Sequence, residues 1–156
     1  MSRGRLTRTL CNLLDRAARM MGRQAQLPRH LQTGRRGEDL AHFHLRQLGY
    51  VIVARNWRAP RRRGELDLVA WDEGVLCFVE VKTRTTREVK PAEAAVDRAK
   101  RREIAIMARE FLRRLRPATP IRFDVISVYL EAGRDPVCEV FKNAYSWHTR
   151  KRDGFI

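Results

Sequence analysis

The chain is poor in cysteine. Only Cys11, Cys77 and Cys138 occur in its 156 residues, with no close spacing between any two. The absence of a Cys-x-x-Cys or a Cys/His quartet argues against a zinc site and a disulfide framework. Free thiols instead suit a reducing, cytoplasmic setting. Long apolar runs are also lacking, and none approaches the ~20 residues that cross a bilayer. The apolar stretch behind Arg3, Arg5 and Arg8 is broken by Asn12 and Asp15, which disfavours a secretory signal. Its arginines would also fit a mitochondrial presequence, although a plain bacterial extension is the simpler expectation. There is no Gly-rich phosphate loop and no Ser/His/Asp arrangement. His30, His42, His44 and His148 form no ligand set, and His42 and His44 read as helix-surface residues.

Acidic residues are scarce too. Lys+Arg number 33 against 18 Asp+Glu, a formal net charge of +15. Such a surface attracts polyanions, most commonly nucleic acid, with an anionic membrane surface as the other class of partner. A hydrophobic fraction of 44% and this length indicate one globular domain with a proper core. Residues 1–33 read as a basic extension. Leu6, Leu10, Leu13 and Leu14 recur at helical spacing, and Gln24 to Thr33 around Pro28 read as a linker. The compact domain is expected over 34–150, with 151–156 as a tail.

Within that domain, Glu38 to Leu48 predicts a helix stopped by Gly49. Tyr50 to Trp57, Glu65 to Trp71 and Val75 to Thr83 predict three strands, the last two joined around Asp72-Glu73-Gly74. Pro91 suits the first turn of a long helix to about Leu115, with Val96, Ile104, Met107, Phe111 and Leu115 on its apolar stripe. Ile121 to Tyr129 and Val137 to Tyr145 predict two more strands. The order α-β-β-β-α-β-β implies an α/β fold, a central mixed sheet flanked by helices, with the long helix as a crossover between parallel strands.

Asp67 interrupts the apolar strand of Leu66, Leu68, Val69 and Ala70. Glu80 and Lys82 interrupt that of Phe78, Val79 and Val81. Charges there are costly unless paired or bound to a metal. Glu80 and Lys82 share one face of their strand by alternation. A two-residue loop Glu73-Gly74 puts Asp67 opposite Glu80, whereas a three-residue loop sends it to the other face. Two adjacent carboxylates repel unless a cation lies between them, and oxygen donors suit magnesium or manganese. The plain structural alternative is a Glu80–Lys82 ion pair with Asp67 capping a turn. Glu38 would add a further carboxylate to the metal, or simply occupy a first helical turn. Lys100, beside the helix stripe, either snorkels past the core edge or touches the scissile phosphate. Arg61, Arg62, Arg63, Arg84 and Arg87 would place positive charge at the rim for a phosphate backbone. Trp57 is a base-stacking candidate, though core packing is its ordinary role.

Gly37-Glu38, Gly64-Glu65-Leu66-Asp67-Leu68-Val69-Ala70, Phe78-Val79-Glu80-Val81-Lys82-Thr83-Arg84 and Arg122-Phe123-Asp124-Val125 occur in that order. From about Thr33 to Trp147 the chain resembles the YraN family of endonuclease-like bacterial proteins, a branch of the PD-(D/E)xK nuclease superfamily related to archaeal Holliday-junction resolvases. The resemblance implies a restriction-endonuclease-like core, with Asp67 and Glu80 as metal ligands and Lys82 as catalytic lysine. It also matches Glu38 to the acidic residue of the first helix, and Lys100 to the polar residue of the following one. Leu66 stands where the superfamily has proline, which removes no chemistry. The expectation is a cytoplasmic, magnesium- or manganese-dependent endonuclease acting on DNA in preference to RNA, including branched repair or recombination intermediates. A homodimer would suit a two-fold junction. The alternative is a non-catalytic nucleic-acid-binding module on the same fold, and a membrane-surface role would rest on residues 1–23 alone.

Overall fold

The computed structural model describes residues 28–86, 96–115 and 118–146. Helix α1 (Arg29–Gln47) is followed by β1 (Val51–Trp57), β2 (Leu66–Asp72) and β3 (Val75–Arg84). Helix α2 (Arg98–Leu112), β4 (Ile121–Tyr129) and β5 (Val137–Phe141) complete the order. The strands form one mixed sheet in the order β1-β2-β3-β4-β5. Only β3 and β4 pair in parallel, which is what a helical crossover between them requires. This is the α/β arrangement of a restriction-endonuclease-like core.

Side-chain alternation sorts the sheet into two apolar layers. Val69, Leu76, Phe78, Phe123 and Val125 join Ile104, Met107 and Ala108 of α2. Leu68, Ala70, Cys77, Val79, Ile126 and Val128 join Ala41 and Leu45 of α1. Trp57 belongs to the α2 layer: its ring meets Phe111 edge-on at 5.2 Å, and Arg114 lies over it. Core packing, not base stacking, accounts for it. His42 and His44 are half-buried rather than free on the helix surface. Both imidazoles are held below their ordinary pKa, chiefly by burial. Burial also pushes the Cys77 thiol up to about 12, leaving it unreactive.

Three element boundaries differ from the sequence-based expectation. Helix α1 starts at Arg29, so residues 29–33 are helical and not linker, and Gly37 lies inside the helix rather than before it. The reason is tertiary. A Cβ on Gly37 would lie 1.8 Å from Thr83 Oγ1, so the glycine lets α1 approach β3. Helix α2 starts at Arg98, because Asp97 caps it by accepting the Lys100 N–H at 2.8 Å. Pro91 lies outside the described residues. Strand β5 ends at Phe141, where the chain turns back on β4. The Asn143 N–H donates to Asp124 Oδ1 and the Ala144 N–H to the Phe123 carbonyl.

At the hairpin end of the sheet, on the α1 face, a charged network is built around the fully buried Asp124. Arg122 donates to both Asp124 oxygens, at 2.8 and 3.1 Å from Nε. It also reaches Asp72 at 2.6 Å and the Tyr50 hydroxyl at 3.1 Å. Lys142 adds a second cation to Asp72 at 2.7 Å. The Asp124 hydrogen bond, above all, holds the Arg122 pKa above its ordinary value. The hydrogen bonds from Lys142, then Arg122, hold Asp72 below its own. Among the described residues, no helix is long and apolar enough to cross a membrane.

Candidate active site

The turn between β2 and β3 decides where the acidic residues fall. Asp72 pairs with Val75, so Glu73-Gly74 form a two-residue loop. Both take positive φ, 49° and 82°, as a type I′ turn demands. The ladder runs back to Leu68 opposite Val79. One step further, backbone pairing gives way to a side chain: Asp67 Oδ2 accepts the Val81 N–H at 2.8 Å. Asp67 therefore stands next to Glu80, on the α2 face that also carries Phe78 and Val69. The two-residue register is the one present.

Glu80 is only 5% exposed. Two ammonium groups meet it: Lys82 Nζ lies 2.8 Å from Oε1 and Lys100 Nζ 3.7 Å from Oε2. Lys100 also donates to Glu103 Oε1 at 3.1 Å. Helix α2 thus delivers Lys100 across the sheet face to the acidic pair. Desolvation is the largest influence on Lys100 and lowers its pKa. Glu80, Glu103 and Asp67 together outweigh it and hold the ammonium above its ordinary value. Asp67 is also raised, up to about 7, through burial first and the charge of Glu80 second. The Val81 amide and Lys100 oppose that rise, and Glu38 adds to it. Burial and the Glu80 charge both disfavour the ionised carboxyl, and positive charge between the two carboxylates would relieve that.

Asp67, Glu80, Lys82 and Lys100 are therefore brought together. Glu38 is not part of that contact set. It sits on α1, hydrogen-bonded to Asn56 Nδ2 at 3.1 Å. It lines an open cavity of about 380 Å³ with His30, Thr33, Gly34, Val81 and Thr83. Its charge still acts on Asp67. Among the described residues, no three His, Cys, Asp or Glu side chains form a group that could hold a metal ion. Two carboxylates, Asp67 and Glu80, are the residues that could hold an ion here, and oxygen donors of this kind suit one that completes its shell with water.

The expected arginine rim divides. Arg62 is engaged with Glu110 at 3.0 Å and is not free for phosphate in this arrangement. Arg61 and Arg63 are exposed, Arg84 ends β3 beside the site, and Arg87 lies outside the described residues. Sequence reasoning missed Glu103, Asn56 and Tyr145. Glu103 was detectable as the i+3 partner of Lys100. Asn56 and Tyr145 carry no local signal. Burial and then the charge of Glu80 hold the Tyr145 phenol well above its ordinary pKa, and its hydroxyl has no hydrogen-bond partner among the described residues.

The sequence profile described as "Uncharacterised protein family UPF0102" matches residues 37–128, which span Asp67, Glu80, Lys82 and Lys100. The UPF0102 protein of Koribacter versatilis is 52% identical over 118 residues, covering 76% of this chain and 82% of the relative. That of Solibacter usitatus is 44% identical over 137 residues, covering 87% and 100%. A Porphyromonas gingivalis relative is 50% identical over 103 residues, covering 66% and 75%.

Proposed function

Because this chain belongs to the uncharacterised protein family UPF0102, a family whose name carries no activity, we propose its function from the chemistry of the site. The protein is a divalent-cation-dependent endonuclease, acting on DNA in preference to RNA and including branched repair or recombination intermediates. The observation that carries this is the Asp67–Glu80 pair, with its Asp67 carboxyl pushed up to about 7. A structural ion pair has no use for a second carboxylate beside it.

Asp67 and Glu80 would hold magnesium or manganese, with Glu38 close enough to add its charge. When bound, such an ion polarises a phosphodiester and promotes attack by water. The chain's own groups do the rest. Glu80 fixes Lys82 through the 2.8 Å contact, so the ammonium is oriented before substrate arrives. Glu103 and Glu80 hold Lys100 between them. Two preoriented ammonium groups facing the carboxylate pair can bind non-bridging oxygens and stabilise charge developing on the leaving group. Arg61 and Arg63, within a chain of net charge +15, would supply backbone contacts that position DNA without reading its sequence. A cytoplasmic location and a homodimer matched to a two-fold junction belong to the same proposal.

A second reading, a nucleic-acid-binding module without turnover, is favoured by the same Lys82–Glu80 contact, since it neutralises both groups. Labelled linear, flapped and four-way DNA, incubated with magnesium or manganese, separates the two. The endonuclease reading expects cutting that Asp67→Ala and Glu80→Gln abolish while binding persists. Binding with no cutting by the parent protein favours the module. Cutting that survives Asp67→Ala overturns the site assignment.

A further inference from the structure

Arg84 is the last residue of β3. Thr83 meets Gly37 of α1 on one face, so alternation puts Arg84 on the other, with Glu80 and Lys82. Its backbone is fixed: it pairs with Tyr129 of β4, and its carbonyl accepts the Leu130 N–H at 2.7 Å. Its side chain is different. The Nε is shut off from solvent and, among the described residues, has no hydrogen-bond partner. Both lysines of this face already sit on Glu80. Arg84 is thus a cation of this face that no carboxylate among the described residues occupies. A phosphate cannot reach that sealed Nε–H, so an anion would be taken through the Nη groups of this half-buried side chain. The guanidinium fork matches two oxygens of one phosphate, which a lysine cannot do. Two residues along a strand span about 6.6 Å, so the fork stands one step beyond Lys82 along the face.

We infer that Arg84 is a phosphate-binding positioning residue beside the Asp67–Glu80 pair, taking a backbone phosphate of the nucleic acid strand that lies across Lys82. This deepens the proposed function in that it takes nucleic acid as the ligand, but it does not require cleavage. Its test is therefore run in EDTA, where failure of the endonuclease reading leaves the result interpretable.

Fluorescein-labelled single-stranded and duplex DNA is titrated with the full chain and with Arg84→Gln, Arg84→Lys and Arg134→Gln. Arg134 is an exposed control paired with Glu131. Arg84→Gln should weaken binding about tenfold or more. It should also flatten the dependence of log K on log salt by about 0.7 to 0.9, the contribution of one phosphate. Arg84→Lys should keep the slope and lose part of the affinity, and Arg134→Gln should change neither. A folded Arg84→Gln protein with the parent's affinity and slope overturns the inference. Should that variant not fold, the Nε–H resonance of Arg84 in the 15N-arginine-labelled parent protein decides. A shift on adding DNA supports the subsite. No shift, or a shift with inorganic phosphate but not with DNA, overturns it.

Discussion

Asp67 is the residue on which the proposed cation site most depends. Its folded-state pKa of about 7 lies above the value of 3.8 for a free side chain, through burial and the neighbouring Glu80. The folded protein therefore binds more protons than the unfolded chain between those two values. Stability is undiminished below about pH 4, falls as pH rises towards 7, and stays reduced above it. Asp67→Asn removes the titration and keeps an acceptor for the Val81 amide. In EDTA, urea unfolding should find the variant more stable than the parent at pH 8, by about 1–3 kcal/mol after solvent screening. The two should converge below pH 4. Equal destabilisation at both pH values would show that Asp67 is a structural acceptor and nothing more. Much of this residue's position was legible in the sequence. The period of two puts Glu80 and Lys82 on one face, and a Glu-Gly loop is compatible with a type I′ turn. The loop length was not, because the apolar pattern around Asp72 permits both registers. It took the positive φ of Glu73 and Gly74 to choose between them.

At the scale of elements, helix contacts set the site as much as strands do. Gly37 lets α1 close on Thr83, and the next residue is Glu38. Gly37→Ala should force the helix outwards and cost about 1–3 kcal/mol in urea unfolding. Adding Thr83→Ala, which removes the clashing Oγ1, should recover part of that loss. No recovery in the double variant would mean that the contact is not what the glycine serves. This approach was illegible in the sequence, where a glycine followed by an acidic residue reads as a helix start. The start of α2 at Arg98 was legible in principle, since Asp97 is a capping residue. Lys100 gains its position from that cap: its own N–H is the one Asp97 accepts, while its ammonium reaches Glu80. The crossover was the easiest element to foresee, because an amphipathic helix between two apolar strands has few other ways to pack.

Across the whole molecule, two charged clusters are kept apart by the sheet. The Asp124–Arg122–Asp72–Lys142 network occupies the α1 face at the hairpin end, and its groups are satisfied by one another. The Asp67–Glu80 cluster occupies the α2 face, where the β2–β3 ladder stops, and is short of positive charge at Asp67. Only the first should behave as structural glue. Asp124→Ala leaves Arg122 and the Asn143 amide without a main partner, and should cost about 3 kcal/mol or more by urea unfolding. A loss under about 1 kcal/mol would show that solvent replaces the network. The sequence displayed Arg122 and Asp124 side by side, but their link to Asp72, fifty positions away, exists only once the sheet has formed. The central claim is that Asp67 and Glu80 are a cation site, and calorimetric titration of the full chain with manganese tests it most directly. Proton competition at Asp67 should make affinity rise by up to about tenfold per pH unit below pH 7 and level off above it, and Glu80→Gln should remove the binding heat. Absence of manganese binding by the parent protein at pH 8, or binding that Glu80→Gln leaves intact, would contradict it.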